Sequence, residues 1–481
     1  MLIPAAATAA DRVALVVGMS DYKHIPALDN TLNDARGLAE TLEDIDFDVT
    51  LALDTPLAEL SGILGDFAFK AETSELALVY FAGHGVEVQG ENFLIPIDAN
   101  VQSNADVQRQ SVSLDQLLAT VERARKMRIV ILDSCRDNPL GDLIDLTSAD
   151  TDGTAEASGG GLAPASPDRG LLVAYAAKDG QVALDGSGDN SPYATALMER
   201  LPEPGLEISL MFRQVRDMVL QTTGNRQEPH TYGSLSGVPF YLAGAAEGQE
   251  DVIAEDRSVA WSTLRPEQEE QLLALADTGD TRSMLGLAYM RLNPNVNTFD
   301  PESAVGYLTR AAEAGAPEAQ FELAKLYERG IGVEPDPARA LELYRAAAEQ
   351  DFADAINDLG FFHHQGSLGL IPDPQRALTF FERAADLRHP QAQFNFAALI
   401  DDGLIPSKGP EDAAGYLYQA LRSGSIDVLN LLTERPTMFK TETRRALQAE
   451  LQTHGFYDGG LDGQIGPGSI TAIRRAFGLE G

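Results

Sequence analysis

Apolar residues in the first half of the chain come in short runs. Residues 12–17 (RVALVV), 47–53, 76–82 (LALVYFA), 128–132 (RIVIL) and 171–176 (LLVAYA) are bounded by Gly, Asp or Pro. Runs this short predict strands buried on both faces. Between them, residues 31–45, 111–125, 193–201 and 208–222 carry apolar positions at helical spacing. Strand alternating with helix implies a mostly parallel α/β sheet flanked by helices, with right-handed crossovers. Residues 141–169 break the pattern. They are acidic, rich in Gly, Pro and Ser, and have no period, which marks a long functional or disordered loop.

A different order begins near residue 265. Short residues recur at Ser283, Ala319, Ala355 and Ala392, spaced 36, 36 and 37 apart. A second set, Ala304, Ala340, Ala377 and Ala413, is spaced 36, 37 and 36. The stretches DPESAVGYL, DPARALELY, DPQRALTFF and GPEDAAGYL open the second helix of each pair, with Pro at the first helical position. Small residues let the helices approach closely, and stacked pairs bury a continuous core. This pattern resembles Sel1-like repeats, relatives of the tetratricopeptide class, with four copies over about 279–424. The resemblance implies an all-α solenoid that holds a protein partner.

The last zone, residues 447–478, reads LQAELQTHGFYDGGLDGQIGPGSITAIRRAFG. Asp-Gly pairs mark tight turns between two helices. The stretch resembles the small helical peptidoglycan-binding unit of bacterial wall enzymes. The alternative is a capping element for the repeats. The expected domains are therefore a leader at 1–10, an α/β domain at 11–243, an acidic linker at 244–264, repeats at 265–430 and a terminal unit at 438–481.

Composition narrows the function. The 481 residues carry 36 Lys and Arg against 73 Asp and Glu, a net charge of −37. Such a chain lacks the cations needed to neutralise nucleic-acid phosphates or an anionic membrane surface. Its acidity suits basic partners or substrates, or simply solubility. No apolar run is long enough to span a bilayer. Cys135 is the only cysteine, so no internal disulfide forms and a zinc site built on several thiolates is excluded. The adjacent His363 and His364 would point in different directions on a helix and read as non-ligands; no metal site is expected. The Ala-rich start (MLIPAAATAA) is either the end of a secretory signal or a plain leader.

The chemistry-bearing residues follow two of the predicted strands. Residues 76–82 run into Gly83-His84-Gly85, and residues 128–132 run into Asp133-Ser134-Cys135. Carboxyl ends of parallel strands share one edge, where ligands bind. His84 and Cys135 are thus expected just past two strand ends on the same side. A thiolate attacks a carbonyl carbon while an imidazole moves the protons. The backbone N–H groups of Gly85 and Cys135 are candidates for holding the oxyanion.

These segments resemble the caspase-like clan of cysteine peptidases, in particular the bacterial metacaspase type (peptidase family C14). The resemblance covers about residues 11–243. It rests on RVALVVGMSDY, Asn33-Asp34-Ala35, LVYFAGHG, ILDSCRDNP, LLVAYA, Ser191-Pro192-Tyr193 and Gln227-Glu228-Pro229. It implies a His84–Cys135 dyad. Animal caspases place Gln-Ala before the cysteine and cleave after Asp, whereas metacaspases have Asp-Ser and cleave after Arg or Lys. The resemblance therefore implies that Asp133 and Asp34 line the S1 pocket, where carboxylates would bind a guanidinium. It also implies processing of the 141–169 loop, with self-cleavage at Arg169-Gly170. Some metacaspases are activated by Ca2+, and Asp142, Asp145, Asp150 and Asp152 offer oxygen ligands. They form no EF-hand pattern, so a solvated loop is the favoured reading and no cofactor is required.

The expected protein is a cysteine-type endopeptidase acting on peptides with a basic P1 residue. A repeat arm would bind protein, and the terminal unit peptidoglycan. That unit and the leader suggest the bacterial envelope or periplasm, with the cytoplasm as the alternative. The rival reading is an inert caspase-fold scaffold acting through its repeats.

Overall fold

The structure is a computed structural model describing residues 12–135, 170–178, 183–186, 188–233, 235, 239–244, 261 and 266–479. The chain forms two compact units.

The first unit is a twisted sheet. Strands β1 (Arg12–Gly18), β2 (Asp48–Leu53), β3 (Leu76–Val88), β6 (Met127–Cys135) and β7 (Leu171–Tyr175) are parallel, in the order β2-β1-β3-β6-β7. β8 (His230–Gly233) adds an antiparallel edge beside β7. Helices α1 (Thr31–Glu43), α2 (Leu57–Ala71), α4 (Leu114–Val121), α5 (Pro192–Arg200) and α6 (Ile208–Thr222) accompany the sheet, with the short α3 (Asn104–Gln110) between β4 (Glu91–Leu94) and β5 (Val112–Ser113). β3 lies at the centre and is buried from Leu76 through Val86. That burial explains its unbroken apolar sequence.

Several expectations change. The run at 47–53 is an edge strand rather than one buried on both faces; Leu51 is 43% exposed. The helix expected at 111–125 is shorter. Val112–Ser113 pairs with β4, and the Ser113 hydroxyl then caps α4 in a reciprocal box with Gln116. α2 fills a stretch to which the periodicity assigned no element. β3 also runs six residues beyond 82, from Gly83 to Val88, because β4 folds back and pairs with Gly85–Val88.

The second unit is all-α. After α7 (Pro266–Asp277) come four helix pairs: α8 (Thr281–Leu292) with α9 (Pro301–Glu313), α10 (Pro317–Arg329) with α11 (Pro337–Glu349), α12 (Ala353–Gln365) with α13 (Pro374–Asp386), and α14 (Pro390–Asp402) with α15 (Pro410–Arg422). Asp300, Asp336 and Asp373 cap α9, α11 and α13 by accepting backbone N–H bonds, each just before a proline at the first helical position. α10 and α12 end on Gly330 and Gly366 at φ 71° and 77°. This is a left-handed cap that a side chain would strain.

The chain then adds α16 (Ile426–Glu434), α17 (Thr441–Thr453) and α18 (Pro467–Phe477). One hydrophobic core runs from Trp261 through the repeats to Phe477. Buried Gln448 ties the last turn together. Its Oε1 accepts from Gly463 N at 2.7 Å, and its Nε2 donates to Gln464 O at 3.0 Å. The continuous core gives this terminal unit the packing of a solenoid cap. His363 is buried and stacked on Phe380, with ring centroids 5.3 Å apart, while His364 is exposed. Among the described residues, no helix is long and apolar enough to cross a membrane.

Candidate active site

β3 and β6 are neighbours, and their parallel register runs from Leu76 opposite Met127 to His84 opposite Cys135. The two residues lie inside extended strands rather than past their ends. Adjacent strands are about 4.8 Å apart, so the register alone sets the two backbone positions side by side. Gly85 follows in β3 and pairs on the other flank with Leu94 of β4. Gly170 precedes β7 at φ 77°, and its carbonyl accepts from Arg128 N at 3.0 Å. Asp142, Asp145, Asp150, Asp152 and Arg169 lie outside the described residues.

His84 is buried, and four contacts hold it. Its backbone N–H donates to the Tyr22 hydroxyl at 2.8 Å, its carbonyl accepts from Ile95 N at 3.0 Å, and its ring lies 4.7 Å from the Tyr22 ring. Its Nε2 is 2.8 Å from the Pro26 carbonyl oxygen. A carbonyl only accepts, so this contact assigns the proton of the neutral ring to Nε2 and leaves the lone pair on Nδ1. Nδ1 has no hydrogen-bond partner among the described residues. Burial pushes the His84 pKa down, partly opposed by the Pro26 carbonyl. The ring is thus held neutral and able to take a proton at Nδ1. Gly83 permits this packing, since a Cβ there would sit 2.7 Å from the Tyr22 hydroxyl and 3.1 Å from Met19 Cβ.

Beside the strand ends is a small open pocket whose lining includes Asp34, Asp133, Asp185, Ser191 and Gly83. None of the described lining residues is basic. Asp34 enters from the first turn of α1 and Asp133 from β6. Ser191 bridges them. Its N–H donates to Asp34 Oδ1 at 3.0 Å and its hydroxyl donates to Asp133 Oδ2 at 2.8 Å. The same hydroxyl caps α5 by accepting from Ala194 N at 3.0 Å. Asn190 donates to Asp34 at 2.9 Å and the Tyr80 hydroxyl to Asp133 at 3.0 Å.

The carboxyls resist ionisation. Burial, reinforced by the Asp34 charge, raises Asp133 to about 7, while the Ser191 and Tyr80 hydrogen bonds pull it down. Burial raises Asp34 to about 6, against the Asn190 and Ser191 bonds. Asp185 is also raised, by burial and by the Asp29 charge, against hydrogen bonds from the Asp29 and Asn30 backbone. Three acids thus share the described lining, an arrangement that favours a cationic group over an anionic one.

Sequence reasoning reached His84, Cys135, Asp34 and Asp133. It quoted Tyr22, Tyr80 and Ser191 only within motifs, with no role, and it missed Asp185, Asn190 and the Pro26 carbonyl. Nothing in the local pattern marks these residues, because each acts through a contact made across the sheet edge.

Comparisons with known proteins carry the same division. Residues 11–240 match the caspase domain family, peptidase C14. Residues 281–315, 317–352 and 353–389 match the Sel1 repeat. The chain carries a caspase domain followed by Sel1 repeats. The helix pair α14–α15 continues the repeat geometry beyond the three matched copies. The human mucosa-associated lymphoid tissue lymphoma translocation protein 1 is 30% identical over 143 residues, which is 29% of this chain and 17% of that protein. Its mouse homolog matches over the same shares. The similarity thus spans under a fifth of those relatives. A crystal structure of a Sel1 repeat protein from Oxalobacter formigenes covers 44% of this chain and 98% of its own, at 20% identity and a TM-score of 0.31.

Proposed function

We propose that the caspase domain is a cysteine endopeptidase that cleaves after Arg or Lys, with His84 and Cys135 as its dyad. The observation that carries this reading is the β3–β6 register, which sets Cys135 opposite a histidine whose Nδ1 is unpartnered. In the reaction, Nδ1 takes the thiol proton and the thiolate adds to the scissile carbonyl carbon. Nε2–H on the Pro26 carbonyl supports the imidazolium that forms. The N–H groups of Cys135 and Gly85 are the candidates for the oxyanion. The imidazolium then protonates the leaving amine, and water hydrolyses the thioester.

Asp34, Asp133 and Asp185 form the S1 site in this reading. A guanidinium or ammonium entering the pocket would draw the carboxyls into their ionised form and complete charge-assisted hydrogen bonds. A peptide panel differing only at P1 tests it. Hydrolysis should follow Arg and Lys and be absent after Asp or Ala. Hydrolysis after Asp would overturn the S1 assignment. No hydrolysis of any member, with and without Ca2+, would favour the inert scaffold.

Self-processing at Arg169-Gly170 belongs to the same proposal. Intact mass after incubation should show cleavage there in the native chain and a full-length Cys135→Ala variant. Full-length protein in both, or clipping at Arg169 in both, would end the self-processing idea. Peptidoglycan binding by the terminal unit forms no part of this proposal.

A further inference from the structure

The loop that holds His84 is itself held by a residue that the peptidase reading does not use. Residues 19–30, between β1 and α1, form no helix or strand. They nonetheless carry much of what surrounds the imidazole. Tyr22 supplies the hydroxyl that accepts from His84 N and the ring beside the imidazole, and Pro26 supplies the carbonyl at Nε2. Leu28 lines the acidic pocket. An irregular loop keeps such groups in place through the hydrogen bonds its backbone makes.

Ser20 is the hub of those bonds. Its carbonyl accepts from Tyr22 N at 3.0 Å and from Leu28 N at 3.2 Å, and its hydroxyl donates to Leu28 O at 2.5 Å. Both ends of the 22–28 segment, which contains Pro26, are thus tied to one residue. Ser20 in turn is fixed by Asp54, just past β2. Asp54 Oδ1 accepts from Ser20 N at 2.7 Å and from Asp21 N at 3.0 Å. Two successive backbone N–H groups converge on one carboxylate oxygen, an arrangement that suits an anion. Met19 N also donates to Ala82 O and Lys23 N to Ile97 O, both at 2.9 Å. Loss of the Asp54 carboxylate would therefore loosen the loop without freeing it.

A separate observation lies at Asp54 itself. Its φ is 45°, in the left-handed region that a residue with a side chain enters at a cost. Glycine would hold this turn without strain. The chain instead keeps a carboxylate there, and the Asp54 backbone N donates to Gly18 O at 2.9 Å. A strained position that retains its side chain points to a use for that side chain.

We propose that Asp54 is a positioning residue for His84. Its carboxylate fixes Ser20, and through Ser20 the Tyr22 hydroxyl and the Pro26 carbonyl that orient the imidazole as a base. This inference rests on the proposed His84–Cys135 dyad. Among the described residues, the hydrogen bonds of Asp54 go to residues 18–21, so its effect on the reaction passes through the loop.

The test is the rate at which iodoacetamide labels Cys135 in the full chain, read by intact mass at neutral and at alkaline pH. Cys135 is the only cysteine, so the mass reports one site. Asp54→Gly keeps the left-handed turn and removes the clamp. It should slow labelling at neutral pH on the order of tenfold and approach the native rate at alkaline pH, where the thiol ionises without help. Asp54→Asn keeps an acceptor oxygen and tolerates the turn, and should stay within about twofold of native. Asp46→Gly makes the same change at an exposed left-handed aspartate (φ 67°) and should also stay within about twofold. In a His84→Ala chain, Asp54→Gly should add less than about twofold, because the group it orients is gone.

Native-rate labelling of Asp54→Gly beside slow labelling of His84→Ala would overturn this inference and leave the dyad standing. So would equal slowing at both pH values, equal slowing with and without His84, equal slowing in Asp46→Gly, or an Asp54→Asn chain as slow as Asp54→Gly. Native-rate labelling of His84→Ala would instead end the dyad, and this inference with it. Should thermal melting show Asp54→Gly unfolded, Asp54→Ser takes its place, since its uncharged hydroxyl stops one atom short of the carboxylate oxygens.

Discussion

Cys135→Ala and His84→Ala are each expected to lower kcat/KM for an Arg-P1 substrate by about ten-thousand-fold or more, with the fold intact. Residues that act as one unit each cost nearly the whole covalent pathway, so the double variant should be no worse than either single one. The two losses have different physical origins. Without Cys135 no nucleophile is present. Without His84 the thiol keeps its proton at neutral pH, and the leaving amine departs unprotonated. Iodoacetamide labelling separates them: His84→Ala should still be alkylated at Cys135, more slowly at neutral pH and at a rate nearer the native one at alkaline pH. Retention of more than a tenth of native activity in either variant would remove the dyad from the mechanism.

The second large effect is on pH dependence. Asp133 and Asp34 sit at about 7 and about 6 in the empty pocket, so each carboxyl gains a proton as pH falls through those values. Neutral carboxyls hold a guanidinium weakly. Affinity for Arg-P1 substrates should therefore be full above about pH 8 and decline as pH passes through 7 and 6. Burial lowers the His84 pKa, so a limb that persists unchanged in Asp133→Asn and Asp34→Asn would point to the imidazole instead.

The same carboxyls affect stability. A group whose folded-state pKa is raised gives the folded form the extra proton between the unfolded value and the folded one. Their burial is thus least costly when they are protonated, and their own contribution to stability grows as pH falls from 8 toward 5. Asp133→Asn should lower kcat/KM for Arg-P1 substrates by about a hundredfold, mostly in KM. It should also flatten the limb near pH 7. A limb unchanged in Asp133→Asn and Asp34→Asn would show that neither group governs it.

What could be read along the chain differed by region. The caspase-domain core strands were plain because burial on both faces leaves an unbroken apolar run, as at Leu76–Ala82 in β3. β2 misled for the opposite reason: an edge strand can carry Leu51 half in solvent and still read as apolar. The β3 extension through Gly83-His84-Gly85 was invisible, since glycines punctuate a local reading. Pairing of Gly83 and His84 with the end of β6, and the return of β4 to pair with Gly85–Val88, keep those residues extended. Among the helices, α2 escaped notice, and α4 proved shorter because a capping serine is also the end of β5.

The repeats were legible almost completely. Each copy writes the same small residues and the same Asp-Pro helix start at a fixed spacing, and each packs on its chain neighbours. The terminal helices resemble a separate unit in sequence, but they share the repeats' hydrophobic core.

By itself, the amino-acid sequence determined which residue types are available for chemistry and which segments must be buried. One thiol and a histidine after a core strand follow from composition and local pattern, and the resemblance to metacaspases adds the acids Asp34 and Asp133. Tertiary structure alone decided that His84 stands in register with Cys135 on the neighbouring strand, that Pro26 bonds the imidazole, and that Ser191 joins two carboxyls from α1 and β6. The reason is physical. Local pattern records how each segment meets water, whereas a pKa, a tautomer or a charge pocket arises from groups far apart in sequence that share one low-dielectric space.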